Sequence, residues 1–232
     1  MPSKALPTAA ILPVKRFDGA KQRLASALSG GFRKALAAAM LADVLAALGR
    51  SARVEVVLIV SGEPAVRDLA QERSAQLIDD AREKGQSRAG LLGLARAAAL
   101  GYQRALLVPS DCPLLDPLEI DTLIANAAAS GLEVGIVPDR HDSGTNALLL
   151  DPSGPFQPQF GPDSLAKHKE QASRRGLEWA VKRVPSLELD VDTGADLGEL
   201  VRALGRSGAR APRTQGVLRQ IERSSPRPPL AA

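Results

Sequence analysis

Residues 54–60 read VEVVLIV, six apolar side chains around one glutamate, and five of the seven are β-branched. A run this continuous does not suit a strand with one wet face, which would alternate. It suits a strand buried on both faces, and such strands belong to parallel sheets covered by helices. Weaker runs of the same kind fall at residues 8–14, 75–78, 104–109, 133–137, 145–150 and 187–190. Between them lie segments with apolar residues at helical spacing: 32–48, 64–73, 88–100, 117–129, 161–175 and 193–204. Pro64 and Pro117 stand where helices begin, and Gly101 and Gly131 where they stop. Strands alternating with helices predict an α/β fold with a mixed, mainly parallel sheet and helices on both faces.

The folded body is expected to be one domain over residues 1–204, followed by a basic tail from 205 to 232. Aromatic residues make up only 3% of the 232-residue chain, so Ala, Leu and Val must fill the core. The net charge is +4, but residues 206–232 hold six arginines and one glutamate. The rest of the chain is therefore close to neutral, at −1. A body without its own basic excess argues against nucleic acid as a partner. The tail is rich in Arg, Pro, Ser and Gly, and it reads as mostly disordered, with residues 215–223 transiently helical, and as dispensable for catalysis. One cysteine, Cys112, cannot form an internal disulfide, which fits a cytoplasmic location. Two histidines and one cysteine leave little for a zinc site of the usual kind. No apolar run reaches the roughly 18 residues of a membrane span, and the N-terminus has no long apolar stretch of a signal peptide.

In sheets of this kind ligands sit outside the carboxyl ends of the strands. The residues just after each strand are therefore the candidates. Lys15 follows the first strand, with Lys21 and Arg23 close behind in PVKRFDGAKQRLA. A loop with these cations suits a triphosphate, or it is a solvated basic loop. It is neither a Walker loop nor a G-x-G-x-x-G turn, so a P-loop ATPase and a dinucleotide-binding fold are both disfavoured. Asp111 follows the strand at 104–109. Asp190 and Asp192 flank one residue in LELDVD, and in an extended segment they project the same way. Three carboxylates suit Mg²⁺, a hard cation that prefers oxygen ligands. Asp192 reads equally well as the N-cap of the helix that follows. The run PDRHDSGTNALLL crowds charge against a strand, which suggests a polar ligand there, with Gly144 letting the backbone approach it.

These pieces come in order: ILPVK, AKQRLA, PSDCPLL, GTNALLL, FGPDSLAKH and LDVDT. Together they resemble the phosphoenolpyruvate or 2-phospholactate guanylyltransferases of coenzyme F-420 biosynthesis, over about residues 11–200. The resemblance implies a nucleotidyltransferase-type fold, like that of nucleotide-diphospho-sugar transferases. It implies that a phosphorylated three-carbon acid attacks the α-phosphorus of GTP and that pyrophosphate leaves. It implies Thr145, Gly161 and Ser164 at the acceptor, Asp111, Asp190 and Asp192 at Mg²⁺, and Lys15 at the nucleotide with Lys21 and Arg23. Lys15 and Asp111 would carry the catalysis. In the resembling family a Gly-Leu-Asn-type segment faces the base; here Gly85, Gln86 and Ser87 stand in its place. The partners expected are GTP and a small phosphorylated carboxylic acid, with neither nucleic acid nor membrane; the resemblance leaves room for a homodimer. His141 and His168 are expected to lie outside the site. Two other readings remain: a sugar-1-phosphate or molybdopterin nucleotidyltransferase, whose G-x-G-x-R-type loop is missing here, and a non-catalytic interaction protein with a basic tail.

Overall fold

A computed structural model of the chain describes residues 6–19, 21–206 and 210–224. The strands are β1 (Thr8–Val14), β2 (Val54–Ser61), β3 (Gln76–Asp79), β4 (Arg104–Leu107), β5 (Val134–Pro138), β6 (Thr145–Leu150) and β7 (Trp179–Val181). They form one sheet in the order β3-β2-β1-β4-β6-β5-β7. Only β6 runs against its neighbours, pairing antiparallel with β4 and β5; every other pairing is parallel. The helices are α1 (Gly30–Leu48), α2 (Val66–Glu72), α3 (Gln86–Ala99), α4 (Pro117–Ala129), α5 (Ser164–Arg174), α6 (Gly194–Arg206) and α7 (Pro212–Ser224).

Alternation along β1 shows why both faces are covered. Ala10 and Leu12 join one core with α1 and α4, among Leu41, Leu45, Ile120 and Leu123. Ala9 and Ile11 join the other, with Leu94 of α3 and Leu165 of α5. Gly93 lets α3 press onto the sheet, since a Cβ there would stand 2.2 Å from Ile11 Cγ2. The connections from β1 to β2 and β3 lead one way along the sheet, while β4 lies on the other side of β1. This reversal opens a crevice between the carboxyl ends of β1 and β4.

Two expectations need correction. Residues 187–190 are not a strand. Pro185–Leu187 forms a 3-10 turn, and the Leu187 carbonyl accepts from Asn146 Nδ2 at 2.7 Å and from Cys112 Sγ. The sheet edge there is β7, a three-residue strand too short to read from sequence. The tail is not mostly disordered over residues 212–224, which form α7; residues 207–209 and 225–232 lie outside the described ones. Leu218 and Ala211 enter a third core with Leu24, Leu28, Leu36, Met40, Val191 and Leu200, and Val217 and Ile221 pack against it. Asp43, buried on α1, accepts the N–H groups of Arg213 (3.2 Å) and Thr214 (2.8 Å) and so caps α7.

Candidate active site

The crevice between β1 and β4 widens into a cleft of about 1120 Å³, enough for a nucleoside triphosphate with a small second ligand. The loop after β1 is fastened from two sides. Arg16 N donates to Glu83 Oε1 at 3.0 Å, and Phe17 N to Glu63 Oε2 at 2.7 Å. This leaves Lys15 exposed and lining the cleft. Lys21 holds a left-handed backbone, φ 55°, just before a 3-10 turn over Gln22–Leu24. Its side chain is buried and donates to Asp192 Oδ1 at 2.9 Å and to Asp111 Oδ2. Burial alone would favour the neutral amine, but Asp111 and Asp192 outweigh it and hold the ammonium well above its ordinary pKa. Arg23 is exposed and also faces the cleft.

Asp111 and the 190–192 segment meet because Val191 N donates to Asp111 O at 3.2 Å. Val191 itself is buried in the third core, so its flanking carboxylates are held at the cleft. Burial, and then the charges of Asp111 and Asp192, push the Asp190 carboxyl up to about 6. The three aspartates thus crowd each other, with one ammonium among them. Among the described residues no group of three or more His, Cys, Asp or Glu is arranged as a metal cage. The donor set is nonetheless of the hard-oxygen kind that Mg²⁺ takes, and three carboxylates beside one ammonium leave an excess of two negative charges.

Asp192 is not the N-cap of α6. Thr193 Oγ1 accepts the Asp196 N–H at 3.3 Å, while Asp196 Oδ2 accepts from Thr193 N and Oγ1 and from Asp192 N, a reciprocal capping box. Burial opposes ionisation of Asp196, but these donors and Arg140 hold its carboxyl below the ordinary value. The sequence signal was T-x-x-D at 193–196, passed over in favour of the nearer aspartate.

The charges of the loop between β5 and β6 are held by its own backbone and by neighbouring elements. Asp139 accepts from His141 N and Ser143 N, Arg140 pairs with Asp196, and Arg183 donates to both oxygens of Asp142 at 2.6 Å. Gly144 lies against the Asp139 carboxylate: a Cβ there would stand 2.7 Å from Asp139 Oδ2, and that side chain would have to shift. Asp139, Arg140, His141, Ser143 and Gly144 line the cleft, and Thr145 joins them at the start of β6. Thr145 N donates to Ser164 Oγ at 2.9 Å, and Thr145 Oγ1 lies 2.9 Å from His168 Nδ1. Gly161, at φ 116°, precedes α5, and its carbonyl takes the Ser164 N–H. Leu165 N goes to Ser143 O, so these two N–H groups of the first turn are not free for an anion. Thr145, Gly161 and Ser164 all line the same cleft as Lys15 and Lys21.

Gly85 and Gln86 line it on the side of β3. Ser87 is not among the lining residues; its Oγ accepts the Phe160 N–H at 2.9 Å and so ties α3 to the segment before α5. His168 is buried, and its ring packs against Phe156 and Phe160. It lies four residues after Ser164, on the same helix face, which is the signal that could have drawn it into the site.

Comparison with known proteins places this geometry in context. Residues 8–221 match the family model described as guanylyl transferase CofC like. The chain is 44% identical to the phosphoenolpyruvate guanylyltransferase of Conexibacter woesei, over 95% of this chain and 99% of that one. It is 34% identical to the 2-phospho-L-lactate guanylyltransferase of Methanothermobacter thermautotrophicus, over 84% of each. It is 36% identical to the 3-phospho-D-glycerate guanylyltransferase of Phenylobacterium zucineum, over 83% of this chain and 89% of that one. Among solved structures, a proposed nucleotide-diphospho-sugar transferase of Desulfovibrio desulfuricans matches with a TM-score of 0.73 at 18% identity, over 94% of this chain and 96% of that one. A nucleotidyl transferase of Methanothermobacter matches at 0.63 and 15%, over 88% and 100%. These two likenesses bear on the fold, a mixed and mostly parallel sheet of the nucleotidyltransferase type. The family match covers most of the chain and the three relatives clear 30% identity, so the chain belongs to the CofC-like guanylyl transferase family.

Proposed function

We propose that the protein transfers GMP from GTP to the phosphate of a phosphorylated three-carbon acid, releasing pyrophosphate, in coenzyme F-420 biosynthesis. The names of relatives at 34–44% identity support this. The observation that carries it is that one cleft gathers Lys15, Lys21, Arg23 and three aspartates together with Thr145 and Ser164. The acid is expected to be phosphoenolpyruvate, the name borne by the relative at 44% identity.

An acceptor phosphate is already ionised at neutral pH, so no general base is needed. Its oxygen forms a bond to the α-phosphorus while the bond from that phosphorus to the bridging oxygen of pyrophosphate breaks. The protein's part is positioning and charge. Lys15 and Arg23 face the triphosphate. Lys21, fixed between Asp111 and Asp192, holds a positive charge at the floor of the cleft. Thr145 and Ser164 orient the acid. When bound at Asp111, Asp190 and Asp192, Mg²⁺ would supply charge neutralisation at the reacting phosphate. Gly85 and Gln86 border the place left for the base.

The test is incubation with GTP, Mg²⁺ and each of the three acids, with mass analysis of the product and an assay of pyrophosphate. A GDP-linked product is expected, most rapidly with phosphoenolpyruvate. Equal rates with ATP or CTP would remove the guanine assignment, and no pyrophosphate with any acid would remove the reaction.

A further inference from the structure

His168 takes no part in the reaction as described above, yet it is fully buried against the cleft wall. Its two ring nitrogens have different partners. The backbone N–H of Gln159 points at Nε2 from 2.8 Å, and a backbone N–H can only donate. Nε2 must therefore be the unprotonated nitrogen, and the single proton of the neutral ring sits on Nδ1. Nδ1 lies 2.9 Å from Thr145 Oγ1, so it donates to that oxygen. No other described residue accepts from the Thr145 hydroxyl, whose own proton is left to face the cleft that Thr145 lines. Burial, with a smaller contribution from Lys167, lowers the His168 pKa to about 4, which keeps the ring neutral under ordinary conditions. Phe156 and Phe160, with ring centroids 5.7 and 5.6 Å away, hold its plane.

Ser164 is arranged in the same sense. Its Oγ accepts the Thr145 N–H, so protein donors occupy lone pairs on both hydroxyls. Each O–H is biased toward donating. Two such donors side by side favour an anionic group over a ligand that must itself donate.

We infer that His168 is a positioning residue: its Nδ1–H locks the Thr145 hydroxyl as a donor toward the anionic group of the acceptor acid. This rests on the guanylyltransferase reading and on Thr145 touching the acceptor. It gives the histidine no contact with substrate and no proton to transfer.

The experiment is a double-mutant cycle on the full chain, with KM for phosphoenolpyruvate measured at saturating GTP. Thr145→Val removes the hydroxyl and is expected to raise acceptor KM about tenfold or more, the worth of one hydrogen bond to a charged group. His168→Phe keeps the aromatic packing but removes both hydrogen bonds, and should raise it roughly five- to tenfold with KM for GTP unchanged. The double variant should match Thr145→Val within about twofold, since the histidine acts only through that hydroxyl. His168→Asn places an amide nitrogen near the Nδ1 position, and should recover most of the acceptor KM while melting earlier. An acceptor KM untouched in His168→Phe, or a penalty in the double variant that multiplies, overturns the inference. If Thr145→Val itself leaves the acceptor KM unchanged while GDP-linked product still forms, the reaction stands and the inference falls with the Thr145 contact; if no product forms with any acid, the reading beneath both has failed. The ¹⁵N spectrum of the wild-type histidine needs no variant to fold. It is expected to show a protonated Nδ1 and a bare Nε2, and the opposite tautomer refutes the mechanism.

Discussion

Asp43→Ala tests how α7 is held. The carboxylate is 5% exposed and accepts two N–H groups of the first turn of α7, from Arg213 at 3.2 Å and Thr214 at 2.8 Å. Nothing else described caps these groups. An N-cap is worth about 0.5–2 kcal/mol, and a hydrogen bond to a charged group about 1.5–3 kcal/mol. The two ranges describe overlapping contributions, so the expected loss is about 2–3 kcal/mol. For a chain of this length that lowers Tm by roughly 5–10 °C. Asp43→Asn keeps one acceptor oxygen without the charge and should lose about half as much. A thermal melt followed by circular dichroism gives the magnitude. Limited trypsin digestion locates it, because Arg210, Arg213, Arg219 and Arg223 are exposed sites on or beside α7. Cleavage there should accelerate in Asp43→Ala ahead of any cut in the body. If the variant melts with the wild type, the cap carries nothing. If it melts early but the α7 sites are cut no faster, Asp43 stabilises α1 alone and the reasoning about the tail is wrong.

Truncation after Arg206 removes Leu218 from the core that also holds Leu24 and Val191, the neighbours of Lys21 and of Asp190 and Asp192; turnover at 37 °C should fall, and a truncated chain with full turnover and an unchanged melt would refute that coupling. Asp192→Asn should cut turnover with little change in Tm, whereas Thr193→Ala should cost about 1 kcal/mol of stability by breaking the capping box of α6; the reverse pattern in paired melts and rate assays would restore Asp192 as the cap. The neutral, buried His168 takes up a proton near pH 6.5 when unfolded but only near 4 when folded. Its contribution is thus undiminished above pH 6.5 and is lost as pH falls toward 4, by up to about 3 kcal/mol. Urea unfolding at pH 7, 5.5 and 4.5 should show a shallower decline in His168→Phe than in the wild type, and equal slopes would contradict it. Burial, and then the charge of Asp111, hold the Cys112 thiol well above its ordinary pKa, so iodoacetamide should label it only after unfolding; rapid labelling of the native protein would mean the 111–112 turn opens.

Much of the sheet could be read from the sequence because its strands announce themselves. The 54–60 run is apolar but for Glu55, and β1, β2 and β6 stand within a residue of their expected limits. What escaped was structure whose signal lies elsewhere in the chain. The tail looked too polar to fold, since α7 carries few apolar residues. Its warrant is in α1, where Asp43 interrupts the apolar run 36–48 and is buried without a partner on its own helix. A charge inside such a stripe is costly unless something distant pairs it. β7 was missed because three residues at a sheet edge leave no period to detect. The convergence of Lys21 on Asp111 and Asp192 spans 90 and 171 positions, and no local pattern records it.

The charged run at 139–144 shows a different limit. Its crowding beside a strand was a sound pointer to the cleft, which Asp139 and Arg140 line, yet these charges already have partners within the protein. Asp139 shapes the loop, Arg140 reaches Asp196 at the start of α6, and Asp142 reaches Arg183 just past β7. Arg140 and Asp142 each meet an ion of opposite sign, while Asp139 is satisfied by the N–H groups of its own loop. Together they fix the loop to two neighbouring elements and set the position of Thr145. Beside them stand two neutral hydroxyls whose oxygens already accept, Ser164 Oγ from Thr145 N and Thr145 Oγ1 from His168 Nδ1. A hydroxyl on its own rotates to suit any partner. One that already accepts a hydrogen bond is biased toward giving its proton, so the selectivity of this part of the cleft lies in the residues behind Thr145 and Ser164 as much as in the two hydroxyls.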